Sequence, residues 1–240
     1  MPLGFSNNYL NGTLGDAVGS RTLKMTASKT NLGYQVACMD SRDPGNAPWN
    51  THLAAPLKAA ARVLLGKSGT TSGITAQMTA DRNALTKNAP VSKWIIFETD
   101  GQPWETMTPA SSSTDTSLNS ATDPSAPDNN NNNKQACLNL KNEAAAAKAS
   151  GNDIHIIMIA FGNDAQTQCG SQGTLGQVMA KAASPRSDGT ASTAPSDCAT
   201  ANSDKDFYFC ATTGDELKDI FATAFGQASA SSTKFVKMPK

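Results

Sequence analysis

A chain of 240 residues with 38% hydrophobic content is long enough for one sizeable α/β core, and two long polar stretches account for part of the low apolar fraction. Lys+Arg and Asp+Glu balance at 20 each, so no cationic excess is present to neutralise phosphates, which excludes nucleic acid and anionic membrane surfaces as expected partners. The longest apolar run, Ile154–Phe161, is far too short to span a bilayer. Residues Met1–Ser6 have neither the basic nor the apolar region of an export signal, so nothing in the sequence as written is expected to export or anchor it.

In chain order, residues 1–50 read as an irregular lead-in rich in Asn, Gly, Ser, Thr and Pro, with Tyr34–Met39 as a short strand. Leu53, Leu57, Ala60, Ala61 and Leu64 recur at helical spacing and predict a helix over Leu53–Leu65. Asn50 or Thr51 is its N-cap, Pro56 lies in its first turn, and Gly66 ends it. A weaker helix is expected over Ile74–Leu85. Trp94–Thr99 has no polar alternation and predicts a strand buried on both faces. Residues 105–133 are polar and predict a long loop or insertion, its Asn run being low complexity.

Beyond it the pattern becomes regular: an alanine-rich helix over Ala136–Ala149 closed by Gly151, a strand over Ile154–Phe161 ended by Gly162, and a helix over Leu175–Ala183. Residues 185–204 form a second polar loop, and Phe207–Cys210 a short strand. Thr213-Gly-Asp-Glu216 is a capping box opening a helix with Leu217, Ile220, Phe221, Ala224 and Phe225 on one face. Residues 227–240 are a tail, with one more short strand over Lys234–Met238. This alternation predicts a doubly wound, Rossmann-like, mostly parallel sheet with helices on both faces, which binds ligands beyond the carboxyl ends of its strands.

The five cysteines, Cys38, Cys137, Cys169, Cys198 and Cys210, include no C-x-x-C pair, and only His52 and His155 are present to join them, so a zinc site is not expected. Cys169 and Cys198 fall in polar loops, which favours disulfides and an oxidising compartment, and the odd count leaves one thiol without an internal partner. Cys169 follows one strand end and Cys210 ends another, while Cys38 precedes the Thr51 loop and Cys137 opens the helix after Asp100. The topology therefore suggests Cys169–Cys210 and Cys38–Cys137, with Cys198 unmatched.

Two residues carry the candidate chemistry. Asp100 ends the first strand and is followed by Gly101, a common way to hold a hard cation at an open edge; the plain alternative is a turn carboxylate. Thr51 precedes a helix, where its hydroxyl either caps the helix or joins an oxygen-rich site. Taken in order, Thr51 before an alanine-rich helix, the strand ending Thr99-Asp100-Gly101, the strand Ile154–Gly162 and the aromatic strand running into Gly214–Phe221 resemble the von Willebrand factor A domain. The resemblance covers about residues 50–226.

That resemblance implies a metal-ion-dependent adhesion site, with Thr51 as the second motif, Asp100 as the third, and a coordination position left open for a partner's carboxylate. The first motif, Asp-x-Ser-x-Ser, has no counterpart upstream of Thr51. Asp188–Ser192 has its spacing, but no apolar strand feeds it. The domain over 51–226 is thus expected to be partial, lacking the family's first strand or strands. Its cofactor is then Mg²⁺, with Mn²⁺ or Ca²⁺ as alternatives, if the full-length protein carries the first motif, and none otherwise. Asn7-Asn-Tyr-Leu10, Phe207–Ala211 and Lys234–Pro239 also resemble the A domains of bacterial TadE/TadG-type pilus-assembly proteins, which implies an extracytoplasmic module anchored only through sequence not in this chain.

The expected function is non-enzymatic binding of a protein partner, with Trp49 and Trp104 flanking the site either as partner contacts or as anchors of their loops. A metal-dependent hydrolase built on Asp100 and a structural surface-assembly component are the alternatives. His155, between apolar neighbours, is expected inside the sheet, and no G-x-S-x-G, phosphate loop or G-x-G-x-x-G occurs.

Overall fold

The computed structural model describes residues 51, 53–65, 92–101, 103, 118–119, 121–125, 133–162, 164–186, 197–203 and 206–232. The expected elements at Tyr34–Met39, Ile74–Leu85 and Lys234–Met238 lie outside these residues, as do Cys38, Trp49 and Trp104. The elements are α1 (Ala54–Leu64), β1 (Lys93–Thr99), α2 (Asn133–Ala147), β2 (Ile154–Phe161), α3 (Leu175–Ala182), α4 (Cys198–Ser203), β3 (Tyr208–Ala211) and α5 (Gly214–Ser232). Among the described residues no helix is long and apolar enough to cross a membrane.

The strands form an open, parallel, three-stranded sheet in the order β1-β2-β3. The α/β class is therefore as expected, with one parallel sheet and α1, α3 and α5 packed on β1, β2 and β3 respectively. β2 is the middle strand. Trp94 pairs with His155 and Thr99 with Ala160 on one side, while Met158 pairs with Tyr208 and Phe161 with Ala211 on the other. Since side chains alternate along a strand, Ile95, Phe97 and Thr99 share a face with Ile156, Met158 and Ala160 and then with Tyr208 and Cys210. The Tyr208 hydroxyl lies against Gly176, which places α3 on this face. Any Cβ at Gly176 would come within 3.0 Å of that oxygen.

Two strand expectations need correction. β1 is buried on one face only: Ile95, Phe97 and Thr99 are covered by the helical layer, whereas Trp94, Ile96 and Glu98 are half-buried. His155 is not enclosed in the sheet. It sits second in β2, half-exposed, stacked on its register partner Trp94 with ring centroids 4.6 Å apart and 3.6 Å from Asp153. Its apolar neighbours Ile154 and Ile156 belong to the opposite face, so periodicity alone placed it wrongly.

Helix ends follow local chemistry. Leu53, just before α1, and Leu57 and Ala61 within it form one buried stripe, and Pro56 falls in the helix's first turn, where no intrahelical donor is required. α2 begins at Asn133, a turn earlier than expected. Its last carbonyls, those of Ala146 and Ala147, accept from Asn152 Nδ2 at 3.1 Å each before Gly151 at φ 90° and Asp153 at φ 51° reverse the chain. Thr174 and Gln177 form a full capping box at α3. The expected box at α5 is present, with Glu216 N donating to Thr213 Oγ1 and the Glu216 carboxylate accepting from Thr212 and Thr213. α5 runs to Ser232, so the first residues of the expected tail are helical.

The 185–204 stretch is not wholly loop. α4 occupies Cys198–Ser203, with the Asp197 carboxylate accepting from Thr200 N at its start. Polarity suggested a loop, but a disulfide to β3 and the burial of Ala201 hold this turn in place.

At the amino edge of the sheet Lys148 Nζ donates to the carbonyls of Lys181 and Ala183, closing the end of α3. Burial pulls its ammonium down to about 8, with Asp206 opposing. The folded chain therefore releases this proton near pH 8 while the unfolded chain keeps it until about 10.5. Stability is expected to rise with pH across that window, and Lys148→Met is expected to flatten the rise. Urea unfolding midpoints measured from pH 7 to 10.5 test this; equal slopes in both proteins would refute it.

Candidate functional site

The carboxyl ends of β1 and β2 and the start of α2 lie at one edge, because each parallel crossover must return the chain to the same end. Asp100 leaves β1 there, exposed to solvent. Behind it, Thr99 Oγ1 is within 3.3 Å of both the N–H and the carbonyl of Gly101 and fixes the turn. Thr51 comes to the same place. It is not the α1 N-cap, since the helix begins three residues later; it instead forms a parallel bridge with Pro103. Its hydroxyl lies so close to Gly101 that a Cβ there would be 2.6 Å from Oγ1. The two candidates, 49 positions apart, thus share one edge, joined through the backbone at Gly101.

Glu98 is a third member that sequence reasoning missed. Burial pushes its carboxyl up, and the charge of Asp100 adds to the shift. The signal was available: residues two apart in a strand share a face, so Glu98 and Asp100 stand on the same side of β1. Among the described residues no group of three His, Cys, Asp or Glu is placed to hold a metal. The described donors are therefore two carboxylates and one hydroxyl, all hard oxygens, a set whose chemistry suits Mg²⁺ or Ca²⁺ but supplies only part of the oxygen shell either ion requires.

Residues 118–119 and 121–125, between β1 and α2, are held over α2 by a polar stripe. Gln135, Asn139 and Glu143 recur at helical spacing and are all buried. Gln135 Oε1 accepts from Asp123 N at 2.9 Å, and its Nε2 donates to Asn139 Oδ1 at 2.8 Å and to the Ala121 carbonyl. The Glu143 carboxylate accepts from the backbone N–H of Asn119 and from its side-chain amide. Burial pushes Glu143 up, with Asn119 and the charge of Lys58 opposing. Leu118 closes the stripe by packing on Ala54 and Ala55 of α1.

Asp123, fully buried, accepts from Ser125 N at 2.8 Å, Ser125 Oγ at 2.7 Å and Ser171 Oγ at 3.0 Å. Burial raises its carboxyl, but these hydrogen bonds outweigh burial and hold it below the usual range. The Asp123-x-Ser125 pair is thus occupied in tying the loop to the turn after β2.

The disulfides differ from those expected. Cys137 in the first turns of α2 is bonded to Cys169 in the loop after β2, with Cα atoms 5.8 Å apart, and Cys198 of α4 to Cys210 of β3, 5.3 Å apart. Cys169 therefore does not pair with Cys210, and Cys198 is not the unmatched thiol. The start of α2 lies over the turn after β2, nearer to Cys169 than β3 is, and the 12-residue separation of Cys198 and Cys210 is spanned by α4 folding back on its own strand. Trp49 and Trp104, the expected partner contacts, and Cys38 fall outside the described residues.

Comparison of the chain with protein-family models, with curated proteins and with solved structures finds no match to any of them.

Two outcomes follow from this geometry. Gly101→Ala is expected to destabilise by about 1 kcal/mol through crowding of Thr51, and Thr51→Ala in the same chain to recover most of it. Additive losses in a double-variant unfolding cycle would contradict the contact. Asp123→Ala is expected to cost about 2 kcal/mol at neutral pH by stranding buried donors. That contribution is complete above the ordinary carboxylate value of 3.8 and is lost as pH falls through the lower folded value. Unfolding at pH 7 and pH 2.5 reads both parts; a cost unchanged at low pH would refute it.

Proposed function

We propose that the chain is a non-enzymatic, extracytoplasmic protein-binding module of the von Willebrand factor A type, related to pilus assembly or the cell surface, and that Asp100 and Thr51 are the retained part of a metal-ion-dependent adhesion site. The observation that carries this reading is the meeting of Thr51 with Gly101 at the carboxyl end of a parallel strand, beside the exposed Asp100. Two of the three motifs of such a site require this juxtaposition, and an unrelated helix cap and turn carboxylate do not.

The order β1-β2-β3 is compatible with one half of a doubly wound sheet, in which further strands add beyond β1. Two disulfides are compatible with an oxidising, extracytoplasmic setting. In this reading Asp100 and Thr51 would supply two hard oxygens to Mg²⁺ if the full-length protein carries an Asp-x-Ser-x-Ser motif, and the bound ion would attract a carboxylate of the protein partner. Glu98 lies on the same side of β1 as Asp100 and offers a further hard oxygen beside it.

Glu98 also favours a second reading, a metal-dependent hydrolase, because such sites combine strand-end carboxylates around the ion. The readings separate on turnover of simple phosphoesters with added Mg²⁺ or Mn²⁺, which the binding module does not support.

The metal component is tested by adding Mn²⁺ to the isotopically labelled protein. Amide signals of Thr51, Asp100 and Gly101 are expected to broaden selectively, with an apparent Kd no tighter than about 1 mM, and Asp100→Ala is expected to abolish the effect. Broadening that survives in the Asp100→Ala protein, or none at this edge, would remove the metal from the proposed function.

A further inference from the structure

Two disulfides lie toward the carboxyl edge, but they are differently placed. Cys137 and Cys169 are both fully enclosed. Cys198 is part-exposed, on a six-residue helix, and with Cys210 it lines a shallow hollow together with Ala165, Thr174, Asp197 and Tyr208. Thiol–disulfide exchange requires an incoming thiolate to approach along the sulfur–sulfur axis, so exposure decides which bond a reductant reaches.

What the Cys198–Cys210 bond holds is specific. Cys210 lies within β3, whose one strand partner among the described residues is β2. On β3 the side chain of Asn202, in α4, takes the place of a further strand. Its Nδ2 donates to the Cys210 carbonyl at 2.9 Å and its Oδ1 accepts from the Cys210 N–H at 2.8 Å. One amide thus satisfies both backbone groups of a residue, as a paired strand would. A helix this short does not persist by itself in water, so α4 depends on the disulfide, the Asn202 pair and buried Ala201 to stay on the edge.

We infer that Cys198–Cys210 is a reductant-addressable latch: its reduction releases α4 from β3 and uncovers the backbone edge of the sheet, while Cys137–Cys169 remains closed as a structural bond. The reductant is a dithiol. Its first thiolate attacks Cys198 Sγ and forms a mixed disulfide, breaking the Sγ–Sγ bond. Cys210 leaves as a thiolate and takes up a proton. The second thiol of the reagent then attacks the mixed disulfide, closes the reagent's own disulfide and frees Cys198, which is protonated in turn. Two electrons and two protons pass to the protein, and the dithiol is oxidised.

The test is a titration of the folded, oxidised chain with dithiothreitol, trapping free thiols with iodoacetamide and locating them by mass mapping. Cys198 and Cys210 are expected to be labelled at reductant concentrations at least about tenfold below those that open Cys137–Cys169. In the same samples, hydrogen exchange of peptides covering 207–211 is expected to quicken about tenfold, with β2 and α2 unchanged. The Cys198→Ser/Cys210→Ser chain is expected to show that fast exchange without reductant. In the oxidised chain, Asn202→Ala is expected to quicken exchange at Cys210 alone. Labelling of Cys137 and Cys169 first, or of all four together, would overturn the inference. So would exchange over 207–211 that stays slow after Cys198 and Cys210 are labelled.

Discussion

β2 is hydrogen-bonded along both edges and buried over nearly its whole length, so the described fold depends on its pairing. A strand cut off from water must place every backbone N–H and carbonyl in a protein hydrogen bond. Ile154–Phe161 meets that demand through β1 on one side and through β3 on the other. Ser184 helps at the amino end, where its Oγ accepts from Ile156 N and its N–H donates to the Ile156 carbonyl. Because both pairings are parallel, the carboxyl ends of β1, β2 and β3 emerge at one edge, and the crossover helices fill the space behind them.

That edge is then fixed by polar groups more than by apolar packing. Asp123 joins the loop before α2 to the turn after β2, Gln135 and Glu143 hold the same loop from below, and Cys137–Cys169 ties the start of α2 to that turn. Each buried donor or acceptor is costly unless paired, so these contacts specify one loop arrangement.

The legible parts of the sequence were those in which local chemistry and tertiary demand agree. Ile154–Phe161 is apolar because it is the central strand, and Thr213–Glu216 reads as a capping box because its two reciprocal hydrogen bonds are local. Of the candidate site, Asp100 and Thr51 were singled out by residue type and position, and what the fold adds is that they share one edge. Glu98 was hidden inside a run read as uniformly apolar. Gln135, Asn139 and Glu143 recur at helical spacing, but nothing local tells a buried polar stripe from a solvated one. The difference is residues 118–119 and 121–125, which fold over it. α4 was lost in a polar stretch because its stability comes from a disulfide and from Asn202, not from an apolar face of its own.

By itself the sequence determined the α/β alternation, the parallel strands, the capping box of α5 and the placing of a carboxylate at a strand end, because each follows from periodicity or from hydrogen bonds that close within a few residues. The tertiary structure decided which cysteines meet, which polar residues are buried, that Thr51 serves the chain after β1 and not its own helix, and that Asn202 completes β3. All of these join residues distant along the chain or on opposite sides of a turn, and their partners are chosen by distance in space. At Asp100 the two levels meet: the sequence supplied the carboxylate at the end of β1, and the fold placed the Thr51 hydroxyl against the glycine that follows it.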